Sequence, residues 1–163
     1  MKRHVLGLGV AASIAMGGLA VAAPGKEDPA LAKLQQMVGN LGYITTLAAD
    51  NQSFGFQWLA DYTYTIDFEL SKDDTLAYAY VRLGTFGPDK LDKLNYAKLL
   101  QYSDTGDMYF SMEAQPGGKG EVLYGNTLVP MKGLTPEILR GLLQSMANKL
   151  DNSAQTWDYS LWK

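Results

Sequence analysis

Asp67 and Glu69 stand two residues apart where polar and apolar residues alternate, so both carboxylates project from one strand face, as an acid/base pair would. No electrophile-holding group accompanies them in the sequence, and a strand with one wet face accounts for the pair equally well. Asp104-Thr105-Gly106-Asp107 suggests a calcium loop. It lacks alternating acidic ligands and a distal glutamate, and Asp with Gly at a helix end makes an ordinary turn. Asp73-Asp74 reads as a hairpin turn. Gln115-Pro116-Gly117-Gly118-Lys119-Gly120 has the glycines and lysine of a phosphate loop. It falls between two strands, however, not between a strand and a helix, so a hairpin loop is expected. Asn51-Gln52-Ser53 matches a glycosylation acceptor, relevant only in a host that glycosylates.

The exclusions are firmer. The only histidine among 163 residues is His4, and there is no cysteine. Beyond residue 4 the chain therefore has no histidine-based triad, thiol nucleophile, ordinary zinc site or histidine-ligated haem. Any catalysis would use carboxylates, Lys, Tyr or Ser. No cofactor and no metal are expected. A net charge of −3 without a basic run argues against nucleic acid and anionic membrane surfaces as partners.

Ten tyrosines offer a further chemistry, the stacking of a sugar or peptide. Most are expected on core-facing positions. Tyr78 and Tyr80 are the exceptions, and with Thr65, Asp67 and Arg82 they form the candidate binding set.

These residues must be positioned by two strands. In 62–70, Tyr62, Tyr64, Ile66, Phe68 and Leu70 share one face while Thr63, Thr65, Asp67 and Glu69 share the other. Ser71-Lys72-Asp73-Asp74 turns the chain, and 76–86 returns as the partner. The parity of that turn sets Ala77, Ala79, Val81 and Leu83 with the aromatic face, and Tyr78, Tyr80 and Arg82 with Thr65 and Asp67. Small residues then lie opposite large ones, leaving room for a helix.

The helix that lies there begins at Leu134-Thr135-Pro136-Glu137. Thr135 caps, Pro136 fits the first helical position, Glu137 complements the dipole, and Leu134 with Leu139 closes a hydrophobic staple. Ile138, Leu139, Leu142, Leu143, Met146 and Leu150 recur at helical spacing. An earlier helix runs from Ala30 through Leu31, Leu34, Met37, Val38 and Leu41. Residues 45–53 hold a possible strand start and a loop, and Phe54, Phe56 and Trp58 alternate as a strand. A middle helix is expected from Leu91 to about Ser103, and two more strands surround the loop at 115–120.

The N-terminus reads as an address. Lys2 and Arg3 precede an apolar stretch at 5–19, and Ala20-Val21-Ala22 supplies a small-x-small cleavage site. Residues 1–22 are thus expected to be a signal peptide cleaved after Ala22, an uncleaved anchor being the competing reading. Residues 23–29 form a linker, 30–150 the domain and 151–163 a C-terminal tail. Periplasmic or extracellular export is expected, with no membrane association after cleavage. A fold without cysteine then rests on its core and not on disulfides.

The element order α-β-β-β-α-β-β-α predicts an α+β two-layer domain, an antiparallel sheet of about five strands with helices on one face. With Leu94-Asn95-Tyr96, Met108-Tyr109-Phe110, Leu134-Thr135-Pro136-Glu137 and Leu142-Leu143, this order resembles the YbjN-like proteins and their structural relatives, the chaperones of type III secretion. The resemblance implies a protein-binding or regulatory module, often dimeric, and not an enzyme. A signal peptide departs from the cytoplasmic chaperones, so their client-escort role is not carried over. The expected function is an exported non-catalytic protein- or peptide-binding module. The alternatives are a carboxylate-using small hydrolase and a structural envelope component.

Overall fold

Local signals set the first and last helices of the computed structural model, which describes residues 28–103 and 108–162. Asp28 caps α1 (Pro29–Asn40) by accepting from Ala30 N at 2.7 Å, with Pro29 in the first turn. Thr135 caps α4 (Pro136–Trp157) by accepting from Ile138 N at 3.3 Å. Between them lie β1 (Thr45–Leu47), β2 (Ser53–Leu59), β3 (Thr63–Leu70), β4 (Leu76–Phe86), α2 (Pro88–Leu91), α3 (Tyr96–Ser103), β5 (Tyr109–Ala114) and β6 (Glu121–Pro130). The fold is α+β: the described residues form one antiparallel sheet of six strands, ordered β1-β2-β3-β4-β6-β5. The strand start at Thr45 pairs with β2 and is the sixth strand.

Turn parity is realised in the β3–β4 register. Ile66 faces Val81, Phe68 faces Ala79 and Leu70 faces Ala77, while Asp67 faces Tyr80 and Glu69 faces Tyr78. The turn is held by Asp73, whose carboxylate accepts from the hydroxyls of Ser71 and Thr75 at 2.7 and 2.9 Å. These bonds lower the Asp73 pKa. Leu31, Leu34 and Val38 of α1, Leu99 of α3, and Leu139, Leu143, Met146 and Leu150 of α4 join Phe54, Phe56, Ile66 and Phe68 in one core. The helices cover one face of the sheet. A two-layer domain of this kind stands on burial of that face, each large side chain contributing about 1.5–3 kcal/mol.

Four local features depart from the sequence reading. A bulge between Arg82 and Gly84 switches the parity of β4, so Phe86, an even position, is fully buried. The middle helix is split into α2 and α3, because Asn95 turns its side chain back to accept from Lys98 N at 3.0 Å and starts a new helix. Ile138 lies off the apolar stripe of α4 and is exposed. Finally, α4 continues beyond Leu150 to Trp157, burying Ala154 and Trp157, so 151–157 is helix and not tail.

That continuation is locked to the sheet. Tyr64 Oη donates to Asp151 at 2.6 Å and Tyr62 Oη to Asp158 at 3.3 Å, and the Tyr62 ring lies 5.4 Å from Trp157. Burial and the hydrogen bond to Asp151 both raise the Tyr64 pKa, keeping the phenol protonated. Gly125 lets α4 approach β6: a Cβ there would lie 2.6 Å from Leu150 Cδ2. Gly120 closes the β5–β6 loop at φ +114°, where a side chain would strike the Phe86 backbone. The glycine-rich segment is thus a hairpin loop, as expected. Among the described residues, no helix is long and apolar enough to cross a membrane.

Candidate binding face

The face of the sheet opposite the helices carries all five candidate residues. Its central rung runs across every strand: Thr46, Gly55, Asp67, Tyr80, Asn126 and Tyr109 are successive Cα partners. Tyr78 lies on the neighbouring rung between Glu69 and Leu128, and Arg82 pairs with Tyr124 on the other side. Thr65 pairs with Gln57. The structure therefore brings Thr65, Asp67, Tyr78, Tyr80 and Arg82 onto adjacent rungs.

Their environments differ. Tyr78 is 38 % exposed and Leu128 beside it 43 %. Tyr80 is half-buried, its ring edge-on to Tyr124 at 6.0 Å, so it has a packing duty that its strand position alone did not reveal. Burial, then the negative field of Asp67, pushes the Tyr80 pKa up to about 12. Arg82 is exposed and donates to Thr85 Oγ1 at 2.9 Å. Asn126 donates to Ser111 Oγ at 2.9 Å and ties β6 to β5.

Asp67 is the unusual member. Its carboxyl leans over Gly55, taking the space a Cβ there would need, and desolvation alone raises its pKa. It lies at the floor of an open groove of about 890 Å³ that also includes Thr65, Gln57 and Thr46. Ile44 and Leu59, 90 % and 76 % exposed, form apolar walls of that groove. Glu69, its expected acid/base companion, is exposed on the next rung.

Sequence reasoning missed Ile44, Leu59, Tyr124, Asn126 and Leu128. Alternation along the chain signals their outward direction, but only the pairing of β1 with β2, β2 with β3 and β6 with β4 puts them on the same face as Asp67 and Tyr80. The expectation of a core role for most tyrosines is corrected: only Tyr64 is fully buried, Tyr78, Tyr96, Tyr109 and Tyr159 are exposed, and the others are half-buried. Asp104-Thr105-Gly106-Asp107, with its resemblance to a calcium loop, lies outside the described residues, as do 1–27 with the expected signal peptide. Among the described residues, no group of three or more His, Cys, Asp or Glu side chains could hold a metal ion.

The architecture has solved counterparts. The chain is similar in structure to YbjN, a proposed transcription regulator from E. coli, with TM-score 0.59 and 13 % identity over 80 % of this chain and 90 % of that one. It is also similar to a chain of the HopA1–SchA chaperone–effector complex, with TM-score 0.51 and 11 % identity over 73 % and 88 % respectively. The resemblance drawn from element order and helix motifs thus holds at the level of fold. No family model and no curated protein matches the chain.

Proposed function

We propose that this chain is an exported, non-catalytic module that docks a protein or peptide partner, a second copy of itself included, on the outer face of its sheet, which no described helix covers. The observation that carries the reading is the composition of that face. Exposed Ile44 and Leu59 line an open groove with the desolvated carboxyl of Asp67, and exposed Tyr78 and Leu128 are paired further along the same face. Apolar anchors around a few polar groups are the anatomy of an interface.

The absence of cysteine, and of histidine beyond residue 4, supports a non-catalytic role. The charged start, the apolar stretch at 5–19 and Ala20-Val21-Ala22 support export with removal of residues 1–22, after which no membrane association is expected. The chaperone–effector complex supplies a precedent for a protein partner on this fold, and YbjN one for a regulator, both at the level of analogy.

The test is quantitative capture by the wild-type protein and by a Tyr78→Lys/Leu128→Lys variant. Binding of the captured partner, or self-association, should weaken by at least about 2 kcal/mol, the scale of an interface hot spot. Each exposed substitution should change folding stability by only about 0.5 kcal/mol. The core control, Ile66→Ala, should instead cost about 2–5 kcal/mol of stability. Undiminished binding by the folded double variant would remove this face from the interface.

A further inference from the structure

Asp67 is the one charged residue lining the groove over β1, β2 and β3. Among the described residues, no group donates a hydrogen bond to its carboxyl and no lysine or arginine pairs with it. Arg82, on the same face, turns instead to Thr85 Oγ1 at 2.9 Å. Gly55 is what seats the carboxyl. The two residues are Cα partners, and the carboxyl lies where a side chain at 55 would stand. The other outward positions of β2, at Ser53, Gln57 and Leu59, all carry side chains, so the missing one leaves a depression with the carboxyl across it.

Charge complementarity then selects the occupant. Asp67, Glu69 and Asp50 all act on the Tyr80 phenol as negative neighbours, so the field there is negative. An exposed ion pair gains little, because both ions give up water as they meet. Asp67 has already given up part of its water in folding, so a cation gains more there than at exposed Glu69. One carboxylate supplies too few oxygens for a calcium ion. The apolar walls at Ile44 and Leu59 call instead for a cation carried on an aliphatic stem.

We infer, resting on the docking role proposed for this face, that the groove takes a lysine or arginine side chain of the docked partner. Its charged head meets the Asp67 carboxylate, and its stem and apolar neighbours lie against Ile44 and Leu59. With no donor of the chain's own on either carboxylate oxygen, both are open to the two parallel N–H groups of a guanidinium or to a single ammonium.

The experiment titrates the purified isotope-labelled protein with three end-blocked tripeptides: leucine-arginine-leucine, leucine-lysine-leucine and leucine-glutamine-leucine. Binding is followed at the backbone amides of Thr46, Gly55 and Asp67. At least one basic peptide should give a saturable shift with a dissociation constant on the order of 1 mM or tighter, and the tighter of the two identifies the head. The glutamine peptide should bind on the order of tenfold more weakly. Asp67→Asn, which should fold at least as well as wild type, should bring the basic peptides down to the glutamine level. Gly55→Ala keeps the charge but displaces the carboxyl, the movable end of its side chain, and should weaken the basic peptides several-fold. No saturable shift with any peptide overturns the inference. Equal binding of the basic and glutamine peptides, or wild-type affinity in Asp67→Asn, does so too. Those results leave the wider docking role of the face to its own test through Tyr78 and Leu128.

Discussion

Desolvation raises the pKa of the Asp67 carboxyl above its ordinary value, with Tyr80 across from it and Gly55 beneath. A raised folded-state pKa means that the native protein holds this proton more tightly than the unfolded chain does. The associated stability is fully present below the unfolded pKa and is lost as pH rises through the folded one. At neutral pH the charged Asp67 therefore weakens the fold that carries it. Asp67→Asn should raise stability at about pH 7 by less than about 1 kcal/mol, since the group still sees solvent. Near pH 3, where the aspartate is itself protonated, the variant and wild type should be equally stable. Urea melts at the two pH values check this. A carboxylate held at a cost to folding fits the interface role proposed for this face.

At the scale of elements, α4 buries side chains along its whole length, from Leu139 near its start to Trp157 at its end. Trp157 donates its indole N–H to the Leu150 carbonyl at 3.0 Å and to Ser153 Oγ at 3.1 Å, and its ring meets Tyr62 of the sheet margin. Trp157→Ala should cost about 3–5 kcal/mol in denaturant melts; a loose tail would lose almost nothing. Gly125 and Leu150 test the seat of the same helix on β6. Gly125→Ala should cost about 1–3 kcal/mol by overpacking against Leu150. In a Leu150→Ala background the same change should cost far less, because the opposing methyl is gone, and a double-mutant cycle measures that coupling.

For the whole molecule, the organising fact is an uneven division of labour between the sheet's faces. Among the described residues, α1, α3 and α4 bury their side chains on one face, which holds the core, and the other face, uncovered by them, carries Asp67, Tyr78 and Tyr80. The shared fold with YbjN and the HopA1–SchA complex concerns this two-layer body. The N-terminal segment bears on where the body works. Mass spectrometry of protein recovered from its host should find Ala23 as the first residue. An intact Met1 in the membrane fraction would favour the anchor instead.

Much of the body is legible in the sequence because its signals are local. The cap of α4, the alternation in β3 and β4, and the turn at 71–74 each lie within a few residues, and together they dictate which side chains share a face. Those signals suffice to set Asp67 and Tyr80 on one face of the hairpin. Tertiary structure decided the rest, because the remaining choices depend on distant partners. The bulge that buries Phe86 arises in the long pairing with β6, and three residues at 45–47 become a strand only because β2 offers an edge. Trp157 enters the core because Tyr62 and Tyr64 receive the end of α4. The candidate face divides in the same way. Period-two geometry points its residues outward, but the groove walled by Ile44 and Leu59 exists only once β1, β2 and β3 lie side by side, since no spacing along one strand encodes the register of the next.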